Sequence, residues 1–125
     1  MIEELEQECW SLDMSLAEHI LPRLLYFKNW AYHHGIPSEF MIEETWEALE
    51  DEWDEVISEM IWAFSYIVSG YTTEASNYID FISIDPFMTV KLDGFDEARE
   101  RDEARMKRCQ HGLRLFARYY RELWV

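Results

Sequence analysis

The stretch from Glu43 to Ser69, EETWEALEDEWDEVISEMIWAFSYIVS, constrains this chain more than any other. Trp46, Leu49, Trp53, Val56, Ile57, Met60, Phe64, Ile67 and Val68 fall on one side of a helical wheel, at the spacing of a face that buries itself against other helices. The remaining arc holds Glu43, Glu44, Glu47, Glu50, Asp51, Glu52, Asp54, Glu55 and Glu59, with no Lys or Arg to offset them. The pattern predicts one long helix, about 40–69, ended by Gly70, with an apolar seam on one side and a carboxylate wall on the other.

A chain of 125 residues is one domain, 1–125, and is long enough to bury a real core. A hydrophobic fraction of 49% and an aromatic fraction of 16% exclude a disordered chain. Four Gly and three Pro leave few sites for tight turns, which favours a few long helices over many short strands. The net charge is −15, and it is unevenly spread. Residues 29–90 contain 13 acids and no Lys or Arg, whereas residues 91–125 hold nine of the eleven basic residues against seven acids. Such a charge repels nucleic acid and anionic membrane alike, so a basic protein surface or a cation is the expected partner.

Cys9 and Cys109 allow one pair and form no CxxC, so two reduced thiols are expected. The opening MIEELEQECW lacks the basic start and apolar run of a signal peptide, and no apolar stretch reaches the ~20 residues that span a bilayer. A soluble protein that stays where it is made is the expectation.

In chain order, residues 1–12 predict a short helical arm with Ile2, Leu5 and Cys9 on one side. Asp13 or Ser15 then reads as an N-cap, and Ser15 with Glu18 fits a capping box. The first main helix follows with Leu16, Ile20, Leu24, Phe27 and Ala31 facing inward. Pro22 predicts a kink, or a break between two consecutive helices. His33-His34-Gly35-Ile36-Pro37 stops it. Residues 71–94 lose the helical period and read as an irregular insert or a short hairpin. The final helix, from near Phe95, repeats Met106, Cys109, Leu113, Phe116, Tyr120 and Leu123. The expected fold is all-α: three long amphipathic helices in a bundle.

The carboxylate wall is the richest candidate site. Glu43-Glu44-Thr-Trp-Glu47 fits the EExxE half-site that all-α nucleotide pyrophosphohydrolases use for Mg²⁺. That chemistry also needs a facing ExxD half-site, which is absent from the sequence 97–103. No His has a Glu three residues before it, so a di-iron bundle is excluded, and no GxSxG or Gly-rich phosphate loop occurs. A solvated acidic face therefore outranks a metal site, and no catalytic residue, metal or cofactor is expected. Nine acids across residues 43–59 give roughly half the axial charge density of duplex DNA, which suits a nucleic-acid mimic. Trp62 and Tyr66, four residues apart beside the seam, are candidate aromatic anchors for a partner or a homodimer.

Three blocks resemble a family of small acidic proteins encoded by tailed bacteriophages. They are Trp10-Ser-Leu-Asp13 running into Leu16-Ala17, Ile20, Pro22, Leu24 and Phe27; Gly35-Ile-Pro37 with the later Glu52-Trp53 to Phe64 run; and Gly112-Leu113 to Leu123-Trp124. The resemblance implies a phage origin and a host-cytoplasm setting, and it supplies no established activity or catalytic residues to carry over. The leading expectation is a non-enzymatic accessory protein that uses Glu43, Glu44, Glu47, Glu50, Asp51, Asp54, Glu55, Trp62 and Tyr66 to bind the basic surface of a host or phage protein, such as a defence nuclease. The alternatives are a Mg²⁺-dependent hydrolase and a homodimeric interaction module.

Overall fold

The computed structural model describes residues 2–34, 46–75 and 94–123, with side chains described for 2–29, 50–75 and 94–123. The described residues are helical apart from turns, and the fold is all-α. In order, α1 is Ile2–Trp10, α2 is Leu12–His34, α3 is Trp46–Val68 and α4 is Phe95–Arg118, followed by a 3₁₀ turn at Tyr120–Glu122. The expected hairpin or irregular insert lies mostly outside the described residues. None of the described helices is long and apolar enough to cross a membrane.

A single residue, Ser11, separates α1 from α2. Ser15 is not the N-cap that its capping-box pattern predicts. Its backbone N–H donates to the Ser11 carbonyl at 2.9 Å, so it already lies within the first turn of α2. Its hydroxyl donates instead to the Glu8 carbonyl at 3.0 Å, one of the groups that the end of α1 leaves without a helical partner. Downstream, α2 passes through Pro22 as one helix and extends to His34, beside the expected stop.

The inward face of α2 keeps Ile20, Leu24 and Phe27 of the expected row but takes in Ala17 and Leu21 in place of Leu16. Ala17 and Leu24 are buried, with Ile20, Leu21 and Phe27 packed beside them, while Leu16 is 51% exposed. The side chain of Ala31 lies outside the described residues.

α3 buries the expected seam at most of its described positions, with Val56 and Val68 half-buried at its edge. Trp53, Ile57, Met60, Phe64 and Ile67 are in the core, joined by Ala63 and Tyr66. Its C-terminus closes in a Schellman motif. Gly70, at φ +83°, donates its N–H to the Ile67 carbonyl at 2.9 Å, and Tyr71 donates to the Tyr66 carbonyl at 3.2 Å. The apolar contact that often accompanies this motif is here an edge-to-face pair, Tyr66 with Tyr71, 5.9 Å between ring centres. The Tyr71 hydroxyl reaches on to the Asp13 carboxylate at 2.7 Å, which fastens the end of α3 to the start of α2.

α4 turns inward a face rotated from the predicted one, with Cys109, Phe116 and Leu123 of the expected row still on the core. Ala98, Cys109, Gly112 and Tyr119 are buried, with Asp102, Arg105 and Phe116 half-buried in the same row, at alternating steps of four and three. Met106, Leu113 and Tyr120 of the expected row are exposed. Gly112 accounts for the rotation: lacking a side chain, it lets the backbones of α4 and α3 come together beside Glu59 and Ala63.

The segment after α3 is held on α4 by charge. The Asp102 carboxylate accepts the backbone N–H groups of Glu74 and Ala75 at 2.8 and 2.9 Å. The Glu74 carboxylate in turn accepts from Arg101 at 2.7 Å and Arg105 at 2.9 Å.

α3 is the middle of the arrangement. Both α2 and α4 pack on it, while among the described residues no Cα of α2 comes within 8 Å of a Cα of α4. The outer helices leave between them an apolar groove of about 580 Å³, walled by Ile20, Leu24 and Phe27 on one side and Phe116, Tyr120 and Leu123 on the other.

Candidate functional site: the acidic edge of α3

Helical periodicity decides which carboxylates of α3 can meet a partner. Asp51, Glu55 and Trp62 lie four and seven residues apart, close to one line along the side away from the buried seam. Asp51, Glu52 and Glu55 are exposed, and Glu50 and Asp54 are half-buried at the margin. The residues expected to extend this edge upstream are less fully seen. Glu43 and Glu44 lie outside the described residues, and Glu47 stands in the first turn of α3 with its side chain outside them.

Two basic residues from the neighbouring helices reach the flanks of the edge. Lys28 on α2 stands 3.8 Å from Asp54. On the other flank Arg108 of α4 grips Glu59 with two hydrogen bonds, Nε to Oε2 at 3.1 Å and a terminal nitrogen to Oε1 at 3.0 Å. That hydrogen-bonded guanidinium holds the Glu59 carboxyl below the usual glutamate range. Glu50, Asp51, Glu52 and Glu55 have no basic partner among the described residues. The wall read from the sequence is thus an edge whose flanks are neutralised within the fold and whose crest keeps its charge.

The aromatic pair divides into a buried and a half-buried member. Tyr66, expected as a surface anchor, is a core residue at 7% exposure. Its hydroxyl donates to the Thr72 carbonyl at 3.1 Å, and burial pushes its pKa up. Trp62 is half-buried and stacks on Tyr66, ring centres 5.3 Å apart and planes 9° from parallel. The Arg108 guanidinium lies 4.2 Å from the Trp62 ring centre. Glu59, Arg108 and Trp62 therefore form one connected unit below the crest, and spacing along α3 alone could not show it because Arg108 comes from another helix.

This arrangement can present negative charge beside an aromatic edge. Among the described residues, no group of three or more His, Cys, Asp or Glu is placed to hold a metal ion. Cys109 is buried, its thiol 3.7 Å from the Ala63 carbonyl and its pKa raised by desolvation, the opposite of an activated nucleophile. No protein-family model, curated protein or solved structure matches the chain.

Proposed function

We propose that this is a non-enzymatic binding protein whose α3 crest docks on a basic protein surface. The observation that carries the reading is the uncompensated set Glu50, Asp51, Glu52 and Glu55, on a helix anchored on its opposite side by Trp53 and Ile57. Fixed charges on a rigid rod lose little conformational freedom on binding, and a row of them speeds encounter with a positive groove. Trp62, at the end of the same line, supplies an apolar contact next to the charges. The resemblance to phage-encoded proteins sets the action in a host cytoplasm and makes a nucleic-acid-binding host or phage protein, such as a defence nuclease, the partner class. A negative crest would occupy the channel that such a protein keeps for phosphates.

The test is capture from infected lysate at stepped salt, comparing the native chain with Glu50→Lys, Asp51→Lys and Glu55→Lys combined. Salt-sensitive capture that disappears in the triple variant, with an unchanged helical circular-dichroism signal, is the expected result. Equal capture by both chains would overturn the reading.

A further inference from the structure

Among the described residues, two apolar surfaces of this molecule have no partner within it. One is the groove between α2 and α4, where Tyr120 is 65% exposed. The other is a stripe formed by Ile2, Leu5, Cys9, Leu12 and Leu16, all exposed and spaced three, four, three and four apart across α1 and the start of α2. α1 has no buried residue and, among the described helices, packs on α2 alone. Nine residues are too few to hold a helix in water unaided.

We propose that α1 of a second copy of this chain lies in the groove, and that the exchange is reciprocal. Charge selects this occupant. Residues 2–10 carry four Glu and no basic residue, whereas residues 104–121 carry six Lys and Arg and no acid. Arg105 and Arg108 are engaged by Glu74 and Glu59, while Arg114 and Arg121, which flank Phe116 and Tyr120 in the chain, are exposed and have no carboxylate partner among the described residues. Arg23 lines the opposite wall. An acidic amphipathic helix laid in this apolar groove, with Arg23 on one wall and a chain segment rich in Arg forming the other, gains both apolar burial and opposed charge. Pairing two α1 stripes directly would instead oppose Glu with Glu.

The molecule's own α1 is badly placed for the role. It leaves α2 at Ser11, and the first groove residue, Ile20, lies nine residues on, roughly 13 Å up the same helix. The Ser15 hydroxyl bonded to the Glu8 carbonyl further fixes the junction. A two-fold arrangement in which each copy gives one α1 and receives one uses both surfaces and closes at two. The interface is distinct from the α3 crest, which lies on the side of α3 away from its neighbours. The two readings therefore stand or fall separately.

The experiment uses two full-length chains. One keeps Cys9, the exposed native thiol; the other carries Cys9→Ser and Tyr120→Cys, while Cys109 stays buried in both. The chains are mixed and treated with a short bis-maleimide, and the mass in solution is measured by light scattering. A dimer with Cys9 of one chain linked to position 120 of the other is expected. Ile2→Ser with Leu5→Ser should abolish both the dimer and the cross-link without changing the melting of the dilute chain, because neither side chain is in the core. Raised salt should weaken the dimer. A monomer at every concentration, or a dimer that links only Cys9 to Cys9, would overturn the proposal. So would a dimer that survives the double serine variant.

Discussion

Gly112 and Glu59 meet backbone to backbone: a Cβ built on Gly112 would stand 2.4 Å from the Glu59 carbonyl oxygen and 2.6 Å from the Ala63 Cβ. Neither neighbour is the movable end of a long side chain. Gly112→Ala should therefore force α4 away from α3, at about 1–3 kcal/mol. The about 1 kcal/mol that Ala gains over Gly in a helix interior offsets only part of this. Thermal melting followed by circular dichroism should show a clear drop in Tm. An unchanged or higher Tm would mean that the helices do not approach so closely.

The Glu59 and Arg108 pair is bidentate and partly shielded by Trp62, so it should contribute more than an isolated surface ion pair. A double-mutant cycle with Glu59→Ala and Arg108→Ala should give a coupling of about 0.5–1 kcal/mol, reduced by salt. Coupling at or below the error of the cycle would show that the guanidinium serves only as a cover for the ring.

Acid should loosen the contact between the 72–75 segment and α4. The Asp102 carboxyl is held below its ordinary 3.8 first by the backbone N–H of Glu74, and the Glu74 carboxyl below its ordinary 4.5 first by Arg101. Groups whose folded pKa is depressed stabilise the fold above their unfolded pKa, and that stability is lost as pH falls through the lower folded value. Urea unfolding followed from about pH 5 downward should show falling stability, and Asp102→Asn should flatten the slope. An equal slope in the variant would place the acid sensitivity elsewhere.

The opposite sign applies to Tyr71, whose pKa is raised from 10.0 to about 12, first by its hydrogen bond to Asp13. A raised folded pKa contributes stability that is complete below pH 10 and disappears as pH climbs toward 12. Tyr71→Phe should lower Tm at neutral pH and remove this alkaline loss. Spectrophotometric titration of the variant should show one fewer late-ionising tyrosine than the native chain, in which Tyr66 is also raised.

How far the sequence disclosed the fold depends on the helix. The seam of α3 was legible because large apolar residues, Trp53, Ile57, Met60, Phe64 and Ile67, mark the buried side themselves. On α2 and α4 the buried side includes Ala17, Ala98 and Gly112, which carry little hydrophobic signal, whereas the larger Leu16, Met106 and Leu113, expected inward, are exposed. A direct check is that Ala17→Leu should cost about 1–3 kcal/mol by overpacking, while Leu16→Ala, measured on dilute chain, should cost under about 1 kcal/mol. The acids of the α3 crest could be read from spacing. Which of them the fold neutralises could not, since Lys28 and Arg108 reach Asp54 and Glu59 only after three helices have come together.

Because α2 and α4 both rest on α3, with no close backbone approach to each other among the described residues, the architecture behaves as two helix pairs sharing a spine. Ala17→Leu and Gly112→Ala act on different pairs, so their free-energy effects should sum with little residue. Loosening one outer helix would leave its counterpart in place, and the molecule could part on one side before the other.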